Sequence, residues 1–318
     1  MPEQPDQTEP QPQPPLYTIP PKAVQTTGHA WDGDLQEFNN PLPRWWLWSF
    51  YATVLFALVY WVLYPAWPVG DSFTKGVASV TFERNGETVT THWNTRAELI
   101  EEMQTGRQTL KQRAYLDRVA AASYTEIVND PEMMAFTRSM AKVLFADNCA
   151  ACHGTGGAPA LIGLYPNLVD DAWLWGGDLA DIEHAIRYGR NGYMPAFDHA
   201  LDDQQIDALA HYVLSLSGHE VDGQKAATGR EIFQGQAGGC HYCHTRSGKG
   251  LPSQGAANLT DAIWTVADVP GAEDLQGRLE VVRQVIHDGI QRQMPAWEHR
   301  LDDVQIKLLT VYVQSLGG

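Results

Sequence analysis

All four cysteines of this 318-residue chain fall into two copies of one pattern, Cys149-Ala150-Ala151-Cys152-His153 and Cys240-His241-Tyr242-Cys243-His244. The spacing sets two thiols where they can add to the two vinyl groups of one haem, and leaves the adjacent imidazole facing the iron as proximal ligand. Two covalently bound haem c groups are therefore expected. A zinc ribbon fits less well, because its cysteine pairs lie about 15–20 residues apart and these lie much farther. A thioredoxin-like redox pair wants a βαβ context, and nothing around either motif supplies one.

The cysteine motifs belong to a longer repeat. Met194-Pro-Ala-Phe-Asp-His-Ala-Leu-Asp-Asp-Gln-Gln-Ile206 returns as Met294-Pro-Ala-Trp-Glu-His-Arg-Leu-Asp-Asp-Val-Gln-Ile306, an offset of 100, while Cys149 and Cys240 are offset by 91. The second copy therefore carries extra residues between Leu259 and Met294, most simply around Val269-Pro270-Gly271. Each copy reads as helical. Asp130-Pro131-Glu132 has the form of an N-cap followed by Pro at the first helical position. Ile206, Leu209, Ala210, Val213 and Leu216, and in the other copy Ile306, Leu309, Val313 and Leu316, form core-facing stripes at helical spacing.

Upstream, Trp45 to Tyr64 runs without a charge, long enough at 1.5 Å per residue to cross a bilayer. Aromatic residues crowd both ends, where rings favour the headgroup level, and Pro65 and Pro68 stop the helix. Residues 44–68 are read as a transmembrane anchor. Residues 1–43, rich in Pro and Gln, read as a disordered or extended arm without the basic and apolar regions of a secretory signal peptide. Residues 69–129 read as a linker. In it, Asn85-Gly86 between two alternating segments suggests a small hairpin, and a polar helical stretch from Arg96 to about Val128 follows. Cytochrome c domains are then expected over 130–218 and 224–318. The fold class is mainly α, with one N-terminal transmembrane helix followed by two tandem class I cytochrome c-like domains.

Covalent haem attachment in bacteria takes place outside the cytoplasmic membrane. The haem domains are thus expected in the periplasm and the arm in the cytoplasm, on a single-pass protein of the inner membrane. The net charge of −16 leaves about −12 on the part after the anchor. Such a body repels nucleic acid, so no nucleic-acid partner is expected, and attracts basic proteins such as a basic electron donor.

A sixth iron ligand is required for electron transfer without substrate binding. Met194 and Met294 hold the same place in their repeats, and a thioether favours ferrous iron and raises the potential. Pairing within each copy is the simple assumption, although copies this alike could exchange ligands. His199 and His299 also recur, in a polar run that suits surface or capping roles. Secondary candidates are Asn167 and Asn258 in loops over the haem edge, Trp173 and Trp264 against a propionate, and Arg187, Arg190 and Arg292 as propionate partners.

Asn39-Asn40-Pro41-Leu42-Pro43-Arg44-Trp45-Trp46 precedes the apolar helix, and Tyr64-Pro65 and Trp67-Pro68 follow it. With the two Cys-x-x-Cys-His and Met-Pro motifs behind them, residues 28–318 resemble the dihaem subunit family, CcoP or FixP, of cbb3-type cytochrome c oxidases. The resemblance implies an electron-transfer subunit with no catalytic centre of its own. It would accept electrons from a soluble or membrane-bound cytochrome c and pass them to a monohaem subunit. They would then reach a haem b–copper subunit that reduces oxygen and pumps protons. Ser79 to Trp93 and residues 1–27 depart from the family pattern. The alternative is a free-standing, membrane-anchored dihaem shuttle; an enzyme such as a dihaem peroxidase would need an open sixth site, which two intact Met-Pro motifs argue against.

Overall fold

The computed structural model describes residues 25–159 and 165–317. They divide into two units, up to Gly106 and from Arg107 onward.

In the first unit, β1 (Thr26–Trp31) and β2 (Leu35–Phe38) form an antiparallel pair. The later part of the arm read as disordered or extended is a hairpin, with its turn made by Asp32 and Gly33 at positive φ; residues 1–24 lie outside the described residues. Helix α1 (Arg44–Leu63) follows, and among the described residues it is the one long and apolar enough to cross a membrane. Its serine and threonine bond their own helix, Ser49 Oγ to Trp45 O at 3.0 Å and Thr53 Oγ1 to Phe50 O at 2.7 Å, which is what an apolar solvent demands of them. Beyond a short pair, β3 (Pro68–Val69) with β4 (Ser72–Phe73), the backbone N–H groups of Val77 and Ala78 return to the last carbonyls of α1. Gly76 makes this approach at φ +72°, where a Cβ would stand 2.2 Å from the Leu63 carbonyl oxygen.

The expected hairpin is β5 (Ser79–Arg84) and β6 (Glu87–His92). Asn85 and Gly86 both take positive φ, as a two-residue I′ turn requires. Its inner side chains Val80 and Phe82 pack on Ala97 of α2 (Thr95–Thr105). Gln104 of α2 takes the free edge of β5, accepting from Glu83 N–H at 2.8 Å and donating to Glu83 O at 2.7 Å. That exposed edge is thereby closed to further strand pairing.

The second unit begins with α3 (Arg107–Ala121) and α4 (Tyr124–Asn129). These do not act as a spacer, as the reading of 69–129 as a linker supposed. Val119 and Ile127 are fully buried with Met133, Ala141, Leu308 and Val311, so the last third of that segment is core. The first repeat supplies α5 (Pro131–Asn148), α6 (Ala150–His153), α7 (Leu179–Tyr188), β7 (Arg190–Met194) and α8 (Asp203–Leu216). The second supplies α9 (Gly223–Gln234), α10 (His241–His244), α11 (Leu275–Asp288), β8 (Ile290–Met294) and α12 (Asp303–Gln314). Asp130 caps α5 as expected, its Oδ1 accepting from Glu132 N and Met133 N.

The repeats, expected over 130–218 and 224–318, do not pack as separate units. Helix α8 packs on α9 and α11 of the second repeat, and α12 packs on α5 and α7 of the first. Each hydrophobic core therefore takes its last helix from the other copy. The ribbon geometry allows this. β7 and β8 pair antiparallel, Arg190 opposite Met294 and Met194 opposite Ile290, so each strand leaves the ribbon toward the other copy's core. Sequence patterning marks which helix faces are apolar but cannot say which of two equivalent partners they meet.

The α8–α9 crossing is close. A Cβ at Gly229 would stand 2.0 Å from the Ala208 carbonyl oxygen. Gly229→Ala is expected to cost about 3 kcal/mol through overpacking of this crossing, measured by guanidinium unfolding of the haem-loaded chain. An unchanged midpoint would show that the helices have room to part.

Candidate functional site

The sites grow from the end of one helix and the start of the next. Helix α9 leads to Cys240 and α10 turns once, so that Cys240 and His244 come to line one apolar cleft while Cys243 stays exposed. The cleft is lined predominantly by apolar side chains, as cofactor pockets are. Its walls include Phe233, Leu209, Trp264 and Val282, and Met194 looks into it from the first repeat. In the other core, Cys149 and Met294 pack against the same buried group of Phe145, Ile182, Ile186, Leu309 and Val313, with Trp173 and Trp297 beside them.

The imidazoles are oriented alike. His153 Nδ1 lies 3.1 Å from Pro166 O, and His244 Nδ1 lies 3.0 Å from Ala257 O. A carbonyl can only accept, so Nδ1 carries the proton and the Nε2 lone pair is left for a metal. Burial, the larger influence, pushes both imidazoles below the usual histidine value despite these hydrogen bonds, which favours the neutral form a ligand needs. Burial also pushes the Cys149 and Cys240 thiols up to about 11. The residues thus fit the group that the motifs imply: an apolar cleft, a thiol at its wall, an oriented neutral imidazole and a thioether.

The methionines are held by the ribbon. Arg190, Gly192 and Met194 lie on the half-buried face of β7, and Ile290, Arg292 and Met294 on that of β8. Behind each strand, a glycine at a helix end lets the other copy's methionine pass. A Cβ at Gly189 would stand 2.3 Å from Met294 O, and one at Gly289 would stand 2.6 Å from Met194 O. Both glycines have positive φ. Phe197 N–H then bonds Ile286 O, and Trp297 N–H bonds Ile186 O, at 3.2 and 3.1 Å. Sequence reasoning passed over these glycines, yet each stands five residues before its own methionine in both copies, a spacing visible in the repeat.

The secondary candidates divide. Trp264 and Asn258 line the cleft. Asn258 and Asn167 shape their loops, Oδ1 accepting from Thr260 N and Val169 N. Arg190 lies over the Trp175 ring, donates to Asp181 O, and keeps a buried Nε with no protein partner among the described residues. Arg292 donates to Thr265 O on the cleft wall, and burial pulls its guanidinium below the usual value. Arg187 is placed otherwise: it joins Glu183 at 2.8 Å and Asp303 at 2.7 Å, fastening α12 to α7. The acids on both helices claim its guanidinium, so a propionate role does not fit it. His199 and His299 are exposed beside Asp198 and Glu298.

Comparison with known proteins agrees with this architecture. Residues 23–71 match the N-terminal domain of cytochrome oxidase-cbb3, FixP, and residues 138–213 and 224–313 each match cytochrome c oxidase, cbb3-type, subunit III. The chain is 43% identical over 302 residues to the cbb3-type cytochrome c oxidase subunit FixP of Azorhizobium caulinodans, covering 92% of this chain and 93% of that one. It is 38% identical to subunit CcoP of Azospirillum brasilense (93% and 96% covered) and 36% identical to CcoP of Cereibacter sphaeroides (92% and 94%).

Gly289→Ala is expected to push Met194 back from the cleft. The readout is loss of the red absorption band of thioether-ligated ferric haem for about half the haem present, with a stability cost of about 1–3 kcal/mol. A full-strength band would mean that the strand does not depend on this approach.

Proposed function

This chain belongs to the FixP/CcoP family of cbb3-type cytochrome c oxidase subunits, and from that membership we propose how its residues divide the work. It is an electron-transfer subunit of a membrane-bound respiratory oxidase, with haem c-binding domains behind a single membrane helix. The proposal is that it holds two haem c groups through crossed ligand sets. Cys149, Cys152 and His153 of the first repeat act with Met294 of the second, and Cys240, Cys243 and His244 act with Met194. When bound, each haem supplies a reversible one-electron couple.

The observation that carries this reading is the convergence of Cys240, an oriented His244 and Met194 on one apolar cleft, with Cys149 and Met294 packed on one core in the sister site. Two protein ligands at each iron leave no position for oxygen. Bond-making chemistry therefore belongs to a partner, the haem b–copper subunit, reached through a monohaem subunit. Rigid cores, closed by helices from both repeats, hold the ligands still as charge changes. The methionines favour the reduced iron and keep the sites oxidising enough to draw electrons from a donor cytochrome c. Arg190 and Arg292, half-buried and facing inward, suit propionates. The acidic body suits a basic face on the donor. The haem domains lie in the periplasm, where the thioether bonds are made, and the amino-terminal arm lies in the cytoplasm.

Two experiments test this. The complex purified through a tag on this chain is expected to contain haem b with haem c in a fixed ratio by pyridine haemochrome spectra. Haem c alone, with partners retained, would leave a free-standing shuttle. Met194→His and Met294→His are each expected to lower one of two midpoint potentials in a redox titration and leave the other. Gly289→Ala should disturb the same step as Met194→His. Disturbance of the Met294 step instead would undo the crossed assignment.

A further inference from the structure

Nothing in the apolar stripes decides which last helix enters which core, since α8 and α12 share their spacing and their Asp-x-x-Gln capping boxes. One position on the buried side of these helices differs in sign: Asp207 on α8 and Lys307 on α12, at equal places in the repeat. The helices that receive them differ too. Position 183 of α7 is Glu and the equivalent position 283 of α11 is Arg. We propose that these charges form a code that directs each last helix into the other repeat's core, and so decides which methionine reaches which haem. The haem consequence rests on the ligand reading above; the helix exchange itself does not.

The observed contacts satisfy the code at both places. Asp207 accepts from Arg283 Nε at 2.9 Å and from Lys225 Nζ at 2.7 Å. Its side chain is only 18% exposed and that of Arg283 only 22%, so solvent screens the contact little. Burial raises the Asp207 carboxyl, but Lys225 and Arg283 together outweigh it and hold it below the usual carboxylate range. In the other core Lys307 Nζ donates to the carbonyls that end α3 and start the turn beyond it, Ala120 O at 2.8 Å and Ala122 O at 2.9 Å, with Val119 O at 3.4 Å. Those carbonyls are the negative end of a helix. Against burial, which raises it, the Glu183 carboxyl is held down chiefly by Arg187 and Tyr124, with Lys307 the smallest contributor.

Folding each helix back on its own copy would reverse the signs at these two places, while Arg187 of α7 would meet an aspartate either way, Asp203 in place of Asp303. Asp207 would enter the place lined by Glu183 and the α3 carbonyls, and Lys307 the place lined by Arg283 and Lys225. Both arrangements put like charges together in half-buried surroundings, the repulsive element that specific pairing needs beside its attractive one.

The test uses the full, haem-loaded chain in detergent, with a protease site placed between Gly218 and Asp222. Gln204 of α8, which borders Gln224, Lys225 and Thr228 of α9 across a polar cleft, is replaced by the photo-crosslinking residue p-benzoylphenylalanine. After illumination and cleavage, a denaturing gel reports the pairing. The otherwise native chain is expected to show its two halves joined. In the double variant Asp207→Lys with Lys307→Asp, each helix suits its own copy, and the joined band is expected to be lost. A joined band at the native level would overturn the proposal. If the double variant fails to retain haem, Glu183→Lys, Lys225→Glu and Arg283→Glu are added to it. Recovery of haem and of the joined band supports the code, and failure to recover either overturns it.

Discussion

The five-residue ladder between β7 and β8 is the contact on which the rest of the haem-binding unit depends. An antiparallel register sends the two strands out in opposite directions. Here that means Met194 and the helix behind it leave toward the Cys240 core, and Met294 with its helix toward the Cys149 core. Once the ribbon is formed, the apolar stripes of α8 and α12 have both cores within reach, and the charges proposed above tell them apart. The glycines at the ends of α7 and α11 are the steric condition for it, because any side chain there would occupy the space of the passing strand.

Around that ribbon the chemistry is conservative. Each imidazole is turned by one carbonyl, thirteen residues on in both copies, and kept neutral by burial. Each site is closed by apolar side chains from both repeats. Several half-buried charges fasten helices to one another: Arg187 to Glu183 and Asp303, Arg283 to Asp207, Lys307 to the end of α3. Desolvated pairs of this kind add little net stability but penalise wrong partners heavily, which suits a chain that must tell two near-identical helices apart.

Much of this was legible in the sequence. Cys-x-x-Cys-His is a chemical motif with a fixed outcome, the aromatic-flanked run before Tyr64 has few uses other than a membrane helix, and Asn85-Gly86 and Asp130-Pro131 act through local backbone preference alone. What was not legible was non-local. Residues 107–129 looked polar because their buried side chains, Val119 and Ile127 among them, are few and meet a helix from the far end of the chain. The role of Arg187 depends on Asp303, more than a hundred residues away. The β7–β8 pairing has no turn to announce it, and its strands carry Gly192 and Arg292, which alternation does not flag. Equivalence of the repeats hid the exchange for the same reason that it revealed the methionines.

The placement of α12 also bears on how such a chain is made. Synthesis and export run from the amino terminus, yet the Cys149 core, whose motif emerges first, lacks a wall until Asp303–Gln314 has crossed. On the ligand reading proposed above, a haem attached before that crossing would meet a segment that cannot yet close over it. The same arrangement removes any half-product. A chain cut short after the first repeat owns one motif but lacks Met294 and the helix that close its core, so on the proposed reading the two sites would be gained or lost as one inheritance.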